Sequence, residues 1–156
     1  MTTAPPEDGR PLRIRPAERA DLLEVYRIES EAFPQPWPFS AFEQFLDTAG
    51  FLVADGGDVH GYVVADTVTS RGFEMGHIKD LAVHEESRGR GIGRRLLERA
   101  VSYLEAEGVR ATKLEVRESN EPAIALYHSH GFECRKTLES YYNDGEDAHL
   151  LVRKRQ

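Results

Sequence analysis

The stretch from Asp80 to Gly108 restricts the fold more than any other part of this chain. An apolar strand, Leu81-Ala82-Val83, runs into Arg88-Gly89-Arg90-Gly91-Ile92-Gly93. Ile92, Leu96, Leu97, Ala100, Val101 and Leu104 then recur at helical spacing until Gly108. A strand that turns through glycines into an amphipathic helix needs a sheet on which the helix can lay its apolar face. Gly89, Gly91 and Gly93 permit positive φ and let a ligand approach the backbone. The helix start presents unpaired N–H groups and the positive end of its dipole. With Arg88, Arg90, Arg94 and Arg95 around it, the loop describes a cradle for a phosphate or pyrophosphate. The same Arg/Gly pattern also suits a solvated turn.

Two nucleotide loops are excluded by detail. A Walker A loop needs Gly-Lys-Ser/Thr at the helix start, and here Arg94 follows Gly93. A dinucleotide fingerprint needs G-x-G-x-x-G, whereas these glycines alternate. Glu115 does stand about where that fold carries its ribose acid. The exclusion therefore rests on glycine phase and on the lack of a preceding mononucleotide half.

The flanking sequence supplies the rest of one sheet. Residues 1–11 are rich in Pro and Gly and read as a flexible tail, leaving a single domain over residues 12–156. Leu12-Arg13-Ile14-Arg15 alternates as a short strand. Pro16 opens a helix in which Leu22, Leu23, Tyr26, Ile28 and Phe33 build one apolar face. The prolines of Phe33-Pro34-Gln35-Pro36-Trp37-Pro38 end that helix, and Ser40 caps a second one through Leu46. Phe51–Ala54 and Val59–Ala65 flank Asp55-Gly56-Gly57-Asp58 as a hairpin. Strands follow at Gly76–Val83 and Lys113–Arg117. Ser119 or Asn120 caps a helix with Pro122 in its first turn, closed by Gly131. Strands at Phe132–Leu138 and Ala148–Val152 complete the order βααβββαβαββ, an α/β (α+β) domain around one mixed, twisted sheet with helices on both faces.

Composition narrows the function. Net charge is −7, with 27 acidic against 20 basic side chains, which opposes a nucleic-acid partner. Only Lys79, Lys113, Lys136 and Lys154 are lysines, a bias that suits a salt-adapted source and a GC-rich genome equally. No apolar run is long enough for a membrane span, and MTTAPPEDGRP lacks the features of a secretory signal. The single Cys134 forms no internal disulfide, which fits a reducing, cytoplasmic setting.

Taken in order, several segments resemble the GNAT superfamily of acetyltransferases. Arg88-x-x-Gly91-x-Gly93 after Asp80-Leu81-Ala82-Val83 is similar to its acetyl-CoA motif. Leu114-Glu115-Val116-Arg117-Glu118-Ser119-Asn120, Ala123-Ile124-Ala125-Leu126-Tyr127, Gly131-Phe132-Glu133 and Tyr141-Tyr142-Asn143-Asp144-Gly145-Glu146-Asp147-Ala148 extend the likeness. Upstream, Glu29, Phe33-Pro34 and Pro36-Trp37 match its N-terminal acetyltransferases. The likeness covers roughly residues 12–154 and points to the ribosomal-protein alanine acetyltransferases and their archaeal relatives.

The resemblance implies a GNAT fold whose two central parallel strands splay apart, and acetyl-CoA as co-substrate with no metal. It places backbone groups of Leu81, Ala82 and Val83 on the pantetheine, where a strand edge can bond an extended amide chain. Arg88, Gly89, Arg90, Gly91, Ile92, Gly93 and Arg94 take the pyrophosphate, and Asn120 the pantetheine arm. Glu115 is the base that it implies; a surface strand glutamate paired with Lys113 or Arg117 is the plain alternative. Tyr127 is the acid at the thiol end, although its spacing also suits a core tyrosine. His77 assists proton removal. Tyr141 and Tyr142 hold the substrate backbone, and Phe33, Pro34 and Trp37 wall the groove unless they simply pack. Many relatives carry a small polar residue at the Asp80 position, so a carboxylate here alters the first-residue pocket.

The implied partner is a protein or peptide N-terminus, a ribosomal protein among them, used by a monomer or weak homodimer without nucleic acid or membrane. A Lys or small-amine acetyltransferase and a non-catalytic acetyl-CoA sensor are the alternatives. His128-x-His130 near Cys134 lacks a fourth metal ligand and suits a helix C-terminus instead. Cys134 beside Phe132 reads as a core residue, and no G-x-S-x-G nucleophile motif occurs.

Overall fold

The computed structural model describes residues 11–156. The expected tail, residues 1–11, lies outside the described residues apart from Pro11. Strands β1 (Arg13–Pro16), β2 (Phe51–Asp55), β3 (Val59–Ser70), β4 (Phe73–Val83), β5 (Ala111–Arg117), β6 (Glu133–Leu138) and β7 (Ala148–Lys154) form one sheet. Its order is β1-β2-β3-β4-β5-β7-β6. Helices α1 (Leu22–Ala32) and α2 (Phe39–Gln44) pack on one face, and α3 (Ile92–Ala106) and α4 (Glu121–His128) on the other.

Each face has its own apolar cluster. Leu96, Leu97, Ala100 and Leu104 of α3 meet Val63, Ala65, Ile78 and Leu114. Leu22, Val25 and Ile28 of α1 join Phe42, Phe51, Tyr62 and Val64. The periodicity of α3 translates directly into burial. In α1 it does not: Leu23 is 62% exposed, because the buried face runs through Leu22, Val25, Ile28 and Glu29. Nor does Pro16 open this helix. It pairs with Leu52 at the end of β1, and a short 3-10 turn at Arg19–Asp21 leads into Leu22.

The β3–β4 ribbon is longer than its apolar residues suggest. It continues through Val68 and Met75 to a turn at Arg71-Gly72, where both residues take positive φ (51° and 82°), as a tight hairpin requires. Thr67, Val68 and Thr69 favour a strand without forming an apolar run. Near the middle, Val64 faces Asp80 while Ala65 faces Ile78, so Lys79 is an extra, bulged residue. The bulge places His77 and Asp80, three apart, on the same face of the sheet.

β4 and β5 run parallel, and their paired register is only Gly76↔Thr112 and His77↔Lys113. Both strands continue, to Val83 and Arg117, with β5 held instead by β7 along its full length. The central parallel pair is therefore splayed, and the backbone of Leu81–Val83 faces a gap on the β5 side.

Candidate active site

His77 and Glu115 sit at the mouth of the gap. His77 Nε2 lies 2.7 Å from Glu115 Oε1, and Lys113 Nζ donates to Glu115 Oε2 at 3.0 Å. The register explains this, since His77 stands opposite Lys113 and Glu115 follows two residues later on the same face. Burial pushes the Glu115 pKa up, but the hydrogen bonds and charges of His77 and Lys113 outweigh it and hold the carboxyl at about 2. Because the carboxylate only accepts, His77 donates Nε2–H to it. Its buried Nδ1 has no hydrogen-bond partner among the described residues. Glu115 is thus a half-buried carboxylate beside the gap, ion-paired with Lys113.

A second acidic group lies further along β4. Glu29, only 2% exposed in α1, accepts the Tyr62 hydroxyl at Oε1 and the Trp37 backbone N–H at Oε2 (2.9 Å). The Tyr62 oxygen is also 3.4 Å from Asp80 Oδ2. Burial and the neighbouring Glu29 raise the Asp80 pKa well above the carboxylate range.

Tyr127 is buried and packs edge-on against Phe132, with centroids 5.9 Å apart. Burial first, then the nearby Asp80 and Tyr142, keep its hydroxyl protonated well beyond the normal phenol range. Tyr141 and Tyr142 pair edge to face at 5.0 Å on the β6–β7 connection. Arg117 braces that loop: its guanidinium lies 4.0 Å from the Tyr142 centroid and donates to Asp144 and Glu146, both at 2.8 Å. Tyr142 is pushed up to about 12, mainly by burial.

The Gly-rich loop has the shape its sequence suggests. Gly89 and Gly91 take φ of 81° and 77°, and a Cβ at either would meet nothing within 4 Å. Gly91 precedes α3 with no side chain capping it, so the first-turn N–H groups are open to an anion. Gly93 serves another purpose, since its Cβ position lies 3.4 Å from Leu126 and 3.6 Å from Val83, a close packing of α3 on its neighbours. The Ile92 side chain is buried in the core, which leaves only its backbone for a ligand. Arg88, Arg90 and Arg94 surround the loop, whereas Arg95 donates to the Leu12 carbonyl at 3.3 Å. Arg88 Nε reaches the Val83 carbonyl at 3.3 Å, beside a 150 Å³ cavity lined by Ile28, Ala32, Val83 and Arg88.

Asn120 caps α4, its side-chain oxygen accepting Ala123 N–H at 3.3 Å, which leaves its NH₂ free to donate to a ligand. Trp37 stacks on Phe45 (5.6 Å) and tilts against Phe42 (5.4 Å), while Phe33 is half-buried and Pro34 exposed. Trp37 is thus held in place by this aromatic cluster. Cys134 is exposed on β6, contrary to the expected core position, because β6 is the edge strand of the sheet and is exposed from Glu133 to Thr137. His130 bonds Glu98 (3.0 Å) and the Leu126 carbonyl (3.0 Å), and no metal-binding cluster occurs among the described residues. Tyr62 is the residue missed by sequence reasoning. An apolar strand hid its hydroxyl, and nothing local connects it to Glu29 or Asp80.

Comparison with known proteins identifies the family. The profile of the acetyltransferase (GNAT) family matches residues 22–132. An N-alpha-acetyltransferase of Sulfurisphaera tokodaii is 36% identical across 97% of this chain and 98% of its own. The ribosomal protein bS18-alanine N-acetyltransferase of Escherichia coli K12 is 34% identical across 89% of this chain and 95% of its own. A crystal structure of the ribosomal-protein-S18-alanine N-acetyltransferase from Escherichia coli superposes with a TM-score of 0.78 at 31% identity, covering 92% of this chain and 93% of that one. With its splayed parallel pair, its glycine cradle and these relatives, the chain belongs to the acetyltransferase (GNAT) family.

Proposed function

We propose that this enzyme transfers the acetyl group of acetyl-CoA to the N-terminal α-amine of proteins. The observation that carries the reading is the His77–Glu115 pair at the mouth of the β4/β5 gap, on the sheet face that also holds Asp80. The names of the two relatives, one an N-alpha-acetyltransferase and one specific for a ribosomal-protein alanine, support the α-amine as acceptor.

The residues fit acetyl-CoA. The unpaired β5 side of Leu81, Ala82 and Val83 suits an extended amide arm, and the NH₂ of Asn120 can meet it. The open first turn of α3, with Gly89, Gly91, Arg88, Arg90 and Arg94, suits a pyrophosphate. When bound, the cofactor supplies an activated thioester; the chain supplies position and proton handling. A protein α-amine has a pKa of about 7.7–8.0, so only a modest base is needed. A carboxylate held at about 2 is too weak for that task alone. Glu115 and His77 therefore act as one hydrogen-bonded pair, to which the α-amine proton passes directly or through water. Tyr127, kept protonated, is the proton source at the thiol end. Tyr141 and Tyr142 hold the incoming backbone, and Phe33, Pro34, Trp37 and Asp80 border the first residue. The unpaired Cys134 suits a reducing cytoplasm.

The test is acetylation of peptides with a free α-amine against the same peptides α-blocked and carrying an internal Lys, with the modified nitrogen located by mass spectrometry. Acetyl on the α-amine of the free set alone is expected. Acetyl on Lys in both sets would overturn the reading.

A further inference from the structure

Tyr62 has one hydroxyl proton and two carboxyl neighbours. It donates that proton to Glu29 Oε1, and Glu29 Oε2 accepts the Trp37 N–H. Glu29 thus accepts at both oxygens, the pattern of an ionised carboxylate. The Tyr62 oxygen also lies 3.4 Å from Asp80 Oδ2. That single proton is committed to Glu29 by the shorter contact, so the hydroxyl gives an ionised Asp80 little to hold it.

Electrostatics points the same way. Two ionised carboxylates around one buried hydroxyl would repel each other where water screens little. Among the described residues, no Lys or Arg forms a salt bridge with Glu29 or Asp80. The groups facing Asp80 are Glu29 from α1, Tyr62 from β3 and Tyr127 from α4. On its own strand, His77 is committed to Glu115, and Lys79 lies over the Phe45 ring at 5.8 Å.

We propose that Asp80 works as a neutral carboxylic acid, a positioning residue that holds ionised Glu29 through Tyr62. The first residue of the substrate therefore meets one negative charge, not two. This rests on the N-terminal reading for its consequence, but not for its chemistry. Glu29 is the sole anion of the chain Asp80–Tyr62–Glu29, so Glu29 sets the penalty on acidic first residues. A small polar residue at position 80 would leave that charge count unchanged, which explains how a carboxylate is tolerated in a buried site.

Two measurements test it. In carbonyl ¹³C NMR of protein labelled at aspartate, one side-chain carboxyl is expected to remain protonated at neutral pH and to be missing from Asp80→Asn. If every aspartate resonance is ionised at neutral pH, the proposal fails. The second is the ratio of kcat/KM for a Glu-first peptide to that for an Ala-first peptide, at neutral pH. Glu29→Gln is expected to raise this ratio by about tenfold or more, since a like charge beside the first-residue pocket is removed. Asp80→Asn is expected to shift it less than about twofold, whatever it does to either rate alone. A comparable tenfold rise in Asp80→Asn would mean that Asp80 is charged and would refute the inference. If the wild type acetylates neither peptide on its α-amine, the N-terminal reading fails, while the NMR result still decides the proton on Asp80.

Discussion

At the scale of single residues, the low pKa of Glu115 changes what its removal should show. A base titrating near neutrality would leave an acid limb in the rate profile, but a carboxyl at about 2 stays ionised across any practical assay range. Glu115→Gln is expected to lower kcat by about 10²–10⁴, the usual weight of an acid–base group, with acetyl-CoA affinity unchanged. Steady-state kinetics with isothermal titration would check it; wild-type turnover would remove Glu115 from the mechanism. The same shift has a stability consequence. The folded pKa lies below the ordinary value of 4.5, so Glu115 contributes stability above that value, and the contribution is lost as pH falls from there toward about 2. Urea midpoints measured down this range should drop less steeply in Glu115→Gln than in the wild type. Tyr127 is the counterpart on the acid side. Its raised pKa keeps the proton in place through alkaline assay conditions. Tyr127→Phe should therefore cut kcat without introducing a new alkaline limb.

At the scale of elements, the Gly loop and the tyrosine loop carry separate jobs, and substitutions should separate them. Gly91→Ala places a Cβ in open space, so its cost is conformational alone, about 1–2 kcal/mol for a left-handed residue. It should raise the KM for acetyl-CoA and leave that for peptide little changed. Arg117→Lys acts on the other side. A Lys ammonium cannot serve Asp144, Glu146 and the Tyr142 face together as the planar guanidinium does. The peptide KM should rise several-fold while the acetyl-CoA KM holds, and equal rises in both would place Arg117 elsewhere in the mechanism. Much at this scale was legible beforehand. The α3 stripe, the first hairpin and the Asn120 cap follow from spacing and local chemistry. Leu23 was misplaced because helical spacing allows two adjacent stripes, and only the sheet selects which one is buried. The β3–β4 extension was hidden because its threonines and exposed Phe73 form no apolar run.

At the scale of the molecule, the sheet edge is fastened to the helical layer by one buried network. Arg15 on β1 forms a bidentate pair with Asp21 (2.7 and 2.9 Å) and donates to Asp55 at 2.9 Å. Asp21 is 7% exposed; burial pushes its pKa up, but Arg15 and the Glu18 backbone N–H lower it below the ordinary value. Arg15→Ala strands that carboxylate and should cost about 3 kcal/mol, read as a lower denaturation midpoint with an unchanged slope. Sequence by itself determined the element order, the single mixed sheet and the glycine loop before α3, because periodicity, glycine phase and capping are local. It also nominated Glu115, Tyr127 and His77 by resemblance. Only the tertiary structure decided which of these groups meet. The parallel register sets His77 against Glu115 across 38 residues of chain, and a bulge at Lys79 turns Asp80 onto the same face. Tyr62 then joins Asp80 to Glu29 from a third element. Proton positions depend on which partners meet in space, and strand pairing between distant segments is what brings them together.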